Sequence, residues 1–108
     1  MPNFQDILAT LPAIDHLERL ELHDDDGACI ARIENRAGTR GSLAVYHAIQ
    51  SEFGVLDRTT AERALQLFSE HTEQARRKPG QHPNIDRLFD IIERDLRYTL
   101  IPVHADRN

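Results

Sequence analysis

The chain has 108 residues and a formal net charge of −5, from 18 acidic and 13 basic side chains. An acidic chain lacks the basic surface that nucleic acids and anionic membranes require, so we expect neither class of partner. Charged residues interrupt every apolar run well before the roughly 20 residues that span a bilayer, which argues against a membrane-inserted protein. We therefore expect one soluble domain, residues 1–108, around a single hydrophobic core.

The chain contains a single cysteine, Cys29. One cysteine cannot close an internal disulfide, and no leader of charged, apolar and small residues begins the sequence, so we expect a cytoplasmic protein. In the alternating pattern of its segment, Cys29 falls on the same side as Ala31 and Ile33. That pattern predicts a buried, unreactive thiol.

The first third of the sequence predicts a short helix and a β-hairpin. Apolar residues recur at helical spacing from the potential cap Asn3 to Leu11. Apolar and polar residues then alternate over 19–23 and 29–34, and the intervening Asp-Asp-Asp-Gly run supplies the residues that tight turns favour. The three aspartates lack the alternating ligands and distal glutamate of a calcium loop, so we interpret them as a turn.

Three longer helices are predicted after the hairpin. The first runs from Leu43 to about Phe53, with Ser42 as a potential cap and Gly54 as the residue that ends it. The second begins at Thr59 or Thr60 and continues for about five turns.

That second long helix ends near Pro79, and its buried stripe includes Ala64, Phe68 and Ala75. The third long helix follows a potential cap at Asn84. Its apolar stripe comprises Ile85, Leu88, Phe89, Ile92 and Leu96.

Residues 98–103 are predicted to form a short extended segment that pairs with the hairpin, and Pro102 would confine it to a sheet edge. Residues 104–108 are predicted to fray. The fold class is therefore α+β, with a small antiparallel sheet packed against three main helices and a short N-terminal helix. A sheet this small leaves an open edge, so we expect a homodimer.

Several short segments together resemble one family. They are Gly41-Ser42-Leu43, Val45-Tyr46-His47-Ala48, Leu67-Phe68, Glu70-His71-Thr72, Pro79-Gly80 and His82-Pro83-Asn84-Ile85-Asp86. In order and spacing the chain is similar, over nearly its whole length, to a small uncharacterised bacterial family, domain of unknown function 2322. The resemblance implies no activity, partner or site residue.

One candidate site is a set of three histidines, His47, His71 and His82, with acidic residues close to them in sequence. Imidazole and carboxylate groups could bind zinc or another divalent ion. We expect His71 to point inward, because it shares the stripe of Phe68 and Ala75. No spacing typical of a metal motif is present, so the alternative is a hydrogen-bonded, partly buried His71 and a His82 that is an ordinary loop residue.

A second candidate is the segment Gly38-Thr39-Arg40-Gly41-Ser42 before the second helix. Glycines allow close approach of a ligand, and a helix N-terminus offers free N–H groups, while Arg40 and Ser42 add a charge and a hydroxyl. These features predict an anion site at Arg40, Gly41 and Ser42. The segment matches neither a Walker nor a dinucleotide pattern, and ordinary turn and capping chemistry is the alternative interpretation.

The basic run Arg76-Arg77-Lys78 suits a helix C-terminus, and with Arg40 it could extend an anion site.

No nucleophile, metal or nucleotide motif stands out, so the leading hypothesis is a non-catalytic binding or interaction protein with a small anionic ligand. The alternative is a small metal-dependent or acid-base enzyme that uses the histidines and neighbouring glutamates. The sequence leaves the cofactor open.

Overall fold

A computed structural model describes residues 2–105, which form an α+β fold. The helices are α1 (Phe4–Leu8), α2 (Arg40–Phe53), α3 (Arg58–Phe68), α4 (Glu70–Arg77) and α5 (Pro83–Arg94). The strands are β1 (Leu17–His23), β2 (Cys29–Glu34), β3 (Val55–Leu56) and β4 (Tyr98–His104). The predicted fold class, the hairpin and the pairing of the C-terminal strand with the hairpin are confirmed.

The four strands form one antiparallel sheet in the order β2-β1-β4-β3. Strand β1 lies between β2 and β4, and its Leu20 and Leu22 are fully buried. Strand β3 has only two residues and was not predicted. It pairs with Tyr98 and Thr99 at the start of β4.

The prediction that Pro102 would confine its strand to a sheet edge is wrong, since β4 lies inside the sheet. Pro102 pairs with Leu20 of β1 on one side. On the other side β3 has already ended, because it reaches no farther along β4 than Thr99. A proline, which has no N–H to donate, is therefore tolerated where its strand has a single neighbour.

Helix α2 lies on the sheet and contacts all four strands, and α3 packs against both α2 and α5. The residues of α2 that enter the core are Leu43, Val45, Tyr46 and Ile49, each at most 1% exposed. With 14 residues, α2 is the longest helix of residues 2–105, and no helix in that range is long and apolar enough to cross a membrane.

Three helices begin earlier than predicted, among them α3, which starts at Arg58 instead of Thr59 or Thr60. Helix α2 starts at Arg40 after Thr39, whose hydroxyl donates to the carbonyl of Glu34 (2.6 Å), so Ser42 lies in the first turn rather than at the cap. Helix α5 starts at Pro83, which is favoured in a first turn because it has no N–H to satisfy.

The long helix predicted over 59–79 is two helices, α3 and α4, separated at Ser69. This residue has a positive φ of 53°, which breaks the helical path. Its hydroxyl donates to the carbonyl of Pro2 (2.9 Å), and the carboxylate of the next residue, Glu70, accepts the N–H of Phe4 (2.8 Å). The break therefore anchors the N-terminal segment.

Cys29 is exposed, which corrects the prediction of a buried thiol. Leu22 pairs with Ala31, but the next residue, His23, pairs with Cys29, so the register shifts by one residue at a β-bulge. A bulge places an extra residue on one strand and reverses the side to which its neighbours point. Cys29 therefore shares the face of His23 instead of the buried face.

Candidate functional site

A cavity of about 560 Å³ opens between the N-termini of α2 and α5. Its lining from these two regions comprises Ala37 to Ser42 and Gln81 to Ile85. His71 of α4 completes the polar part, and Phe4, Leu8 and Phe68 form the apolar part. The fold thus brings the predicted anion segment together with two of the three predicted histidines.

The N-terminus of α2 faces the cavity with free backbone donors. The N–H of Arg40 bonds to the carbonyl of Arg36 (3.1 Å), and the N–H of Leu43 bonds to that of Thr39 (2.9 Å). Between them, the N–H groups of Gly41 and Ser42 have no carbonyl acceptor among the described residues. Such first-turn donors, with the positive end of the helix dipole, favour an anion.

The N-terminus of α5 is held in place by a buried tyrosine of α2. The Tyr46 hydroxyl donates to the carbonyl of Asn84 (2.5 Å), and Arg87 donates to both the Asn84 side chain (2.9 Å) and the Tyr46 oxygen (3.2 Å). Burial raises the pKa of Tyr46, which keeps the phenol protonated as the donor. These bonds fix the relative positions of the two helix ends.

Phe4 forms the apolar floor of the cavity. Its ring stacks on Phe68 (5.7 Å between ring centroids) and contacts His71 edge-on (4.8 Å). Gly41 permits this packing, because a Cβ atom there would lie 3.1 Å from the Phe4 ring. Gly41 therefore serves the close approach of α1 to α2 as well as the backbone donor set.

His71 and His82 stand together at the cavity with ring centroids 6.0 Å apart. His71 Nδ1 lies 2.8 Å from the side-chain oxygen of Gln74, and because an amide oxygen only accepts, Nδ1 donates in this bond. Nε2 of His71 is then the nitrogen left for a ligand. His71 is half-buried and borders the cavity, so it is only partly turned inward as predicted.

The charge of the lining differs in sign from that of the whole chain. Arg40, His71 and His82 are its ionisable side chains, and no aspartate or glutamate is among the described residues that line it. None of the ion pairs formed within residues 2–105 involves Arg40. The cavity therefore offers an unneutralised guanidinium in a chain of net charge −5.

His47, the third predicted histidine, belongs to a different cluster. Its ring lies 5.6 Å from that of His16, which in turn lies 5.2 Å from that of His104. Burial, together with the two neighbouring histidines, lowers the pKa of His47, so the ring is neutral at physiological pH. The structure therefore does not place His47 at the cavity with His71 and His82.

Arg76 of the basic run is also placed elsewhere. It pairs with Glu73 (2.9 Å), lies over the Phe89 ring (5.2 Å) and lines a second, larger groove that also contains Glu62 and Glu70. Among the described residues, the basic run thus contributes no side chain to the cavity that Arg40 lines.

The sequence profile of one family, described as an uncharacterized protein conserved in bacteria (DUF2322), matches residues 4–102. The chain belongs to this family. The match confirms the resemblance seen in the sequence, and the description of DUF2322 assigns no activity. No curated protein and no solved structure matches the chain.

The sequence predicts Arg40 to Ser42 as an anion site, but not that Phe4, Gln81 and Asn84 line the same cavity. A signal for the N-terminus of α5 is present, since Asn84 is a potential helix cap. What the sequence did not show was that the two helix starts face each other.

Proposed function

We propose that this protein is a cytoplasmic binding protein whose ligand is a small anion, held in the cavity between the N-termini of α2 and α5. The observation that carries the proposal is the convergence of two helix N-termini with Arg40, His71 and His82 in a cavity that no carboxylate of residues 2–105 lines. A single helix N-terminus is a common feature of proteins. Two that face one cavity add their partial positive charges at the same place.

The donors available to the anion are of three kinds. The backbone N–H groups of Gly41 and Ser42 supply fixed donors, and Arg40 supplies a planar, permanently charged group suited to phosphate or carboxylate. The Ser42 hydroxyl completes the set. Because the backbone donors are already fixed in a helix, the protein loses little conformational entropy when the anion binds.

The ligand is expected to carry an apolar part as well as its charge. The floor formed by Phe4, Leu8 and Phe68 offers apolar surface beside the donors. A volume of about 560 Å³ exceeds the needs of an inorganic ion and lies in the usual range for sites of small organic ligands. A small phosphate ester or carboxylate fits both features.

Calorimetric titration with inorganic phosphate, phenyl phosphate and benzoate tests the proposal. We expect phenyl phosphate or benzoate to bind more tightly than phosphate alone, and the choice between them identifies the anionic group. Arg40→Ala should weaken binding about 10-fold or more, the equivalent of one charge-assisted hydrogen bond, without changing stability. Arg77→Ala removes an exposed arginine outside the cavity and serves as the matched control. The proposal would be refuted if the parent protein, Arg40→Ala and Arg77→Ala bound these anions with equal affinity.

A second candidate function is acid-base chemistry on the bound anion. The pair His71 and His82 favours it, because both side chains reach the same cavity and Nε2 of His71 is free to exchange a proton. This acid-base enzyme differs from the metal-dependent enzyme of the sequence-based hypothesis, which required His47 as well. Hydrolysis of p-nitrophenyl phosphate that is lost in His71→Gln, while phosphate still binds, would favour the enzyme over the binding protein.

We also propose that the protein forms a homodimer through β2. This strand lies at the end of the sheet, so one of its edges has no neighbour within residues 2–105, and its Ile30 is 43% exposed. An unpaired edge with an exposed apolar side chain can add a strand from a second chain. Ile30→Lys should shift the mass measured by light scattering from dimer to monomer, and a monomeric parent protein would refute the proposal.

A further inference from the structure

We propose that Glu21, His23 and Cys29 form a binding site for zinc or a chemically similar transition metal ion, on the face of the sheet opposite the core. One ligand atom from each of the three side chains lies within 4.8 Å of the other two. Within residues 2–105 this is the one group of three such side chains that meets at this spacing. It is separate from the cavity between α2 and α5, so it is independent of the proposed anion binding.

The β-bulge in the hairpin creates this group. Glu21 and His23 lie two residues apart on β1 and so point to the same face. Regular pairing would place Cys29 on the other face, but the register shift after Leu22 makes it the partner of His23. Bulges commonly re-aim one side chain in this way.

The ligand types select the kind of metal. Thiolate, imidazole and carboxylate together are typical of zinc and cobalt(II) sites, whereas calcium and magnesium prefer oxygen ligands alone. Metal bonds of about 2.0 to 2.3 Å in a tetrahedron require ligand atoms about 3.3 to 3.8 Å apart. Glu21 Oε1 accepts a hydrogen bond from His23 Nε2 (2.8 Å), so the ring carries its hydrogen on Nε2 when no metal is bound. On metal binding the two atoms move slightly apart and the ring changes to the tautomer with its hydrogen on Nδ1, so that Oε1 and Nε2 can each bond to the metal.

The surroundings support the ligands and leave access for an ion. Arg19 Nε donates to the second oxygen of Glu21 (2.8 Å), which holds the carboxylate in place as outer partners do in metal sites. The Cys29 thiol makes only a weak contact with the carbonyl of Ala31 (3.5 Å) and is exposed. On binding, the thiol releases its proton to solvent, and the fourth position of the metal faces water.

Cobalt(II) titration of untagged protein, followed by absorption, tests the site. Because Cys29 is the only cysteine, a thiolate-to-cobalt charge-transfer band can arise only from its coordination. We expect a band that saturates at one cobalt per chain and disappears when zinc is added. It should be absent in Cys29→Ser, a nearly isosteric change at an exposed position.

His23→Gln and Glu21→Gln should each weaken cobalt binding by more than about 10-fold, because even the loss of an outer partner of a metal ligand costs that much. His82→Gln, which removes a histidine of the other site, should leave the titration unchanged. Circular dichroism confirms that each variant is folded. The proposal is overturned if the parent protein gives no thiolate band, or if the band persists with equal affinity in both His23→Gln and Glu21→Gln.

Discussion

The hydroxyl of Tyr46, within α2, donates a hydrogen bond of 2.5 Å to the carbonyl of Asn84, in the first turn of α5. The phenol is 1% exposed, and Arg87 donates to its oxygen from the other side. One buried side chain of α2 thereby holds the first turn of α5 in position. Since the cavity lies between the two helix N-termini, its geometry depends on this bond.

Tyr46→Phe should lower the free energy of unfolding by about 1 to 3 kcal/mol. The change removes one hydrogen bond from the Asn84 carbonyl and one from Arg87, both of them partly shielded from water, and the loss of two such bonds costs this much. Urea denaturation measures the effect. Tyr98→Phe, at a partly exposed tyrosine, is the matched control, and an equal loss in both variants would contradict the role of the Tyr46 hydroxyl.

Gly41→Ala should destabilise the protein by about 1 to 3 kcal/mol, although alanine is normally the better helix residue. The new Cβ would lie 3.1 Å from the Phe4 ring and force it to move. In a Phe4→Ala background the same change should become neutral or stabilising. A double-mutant cycle by urea denaturation measures this coupling, and additive effects would show that Phe4 does not limit the position.

Stability should fall as pH decreases below about 6.5, and His47 should account for part of the fall. Burial and the neighbouring His16 and His104 lower the pKa of His47 from its usual 6.5 in the folded state. The unfolded chain therefore binds a proton first, and the contribution of neutral His47 is lost as pH falls from the unfolded toward the folded pKa.

Urea denaturation of the parent protein and His47→Gln at pH 7.5 and pH 5.5 measures this contribution. The difference in stability between the two pH values should be smaller in the variant. The comparison cancels the three histidines that do not interact with His47, namely His23, His71 and His82. An unchanged difference would mean that His47 has the same proton affinity in both states.

Glu70→Gln should loosen the N-terminal segment without unfolding the core. The Glu70 carboxylate accepts N–H bonds from its own backbone and from Phe4, and these lower its pKa. Hydrogen exchange of the Phe4 amide should accelerate in the variant at neutral pH, while that of Leu20 stays slow. In the parent protein the protection factor of the Phe4 amide, which corrects for the slower intrinsic exchange at low pH, should fall only as pH falls through the lowered pKa of Glu70.

Much of the fold could be predicted because its signals are local. Three of these signals each depend on residues within a few positions of one another. They are the alternation over 19–23 and 29–34, the Asp-Gly turn, and Gly54 at the end of α2. The break between α3 and α4 resisted prediction for a physical reason. The break at Ser69 contains no glycine or proline and is held by contacts with Pro2 and Phe4, far away in sequence.

The site was predictable in part. The segment Arg40 to Ser42 has the composition of an anion site, but its distance from His71 and His82 depends on how α1, α2 and α5 pack. The exposure of Cys29 depends on one bulge, which alternation alone cannot show. Tertiary packing thus decides which candidate residues meet.

The most direct test of the proposed anion site is a titration of isotope-labelled protein with inorganic phosphate, followed by amide NMR. We expect the amides of Gly41, Ser42 and Asn84 to shift together with one dissociation constant, while the turn at 24–28 does not respond. Both helix N-termini would then contact a single anion. Shifts confined to one helix N-terminus, or no saturable shifts at either, would contradict the anion site.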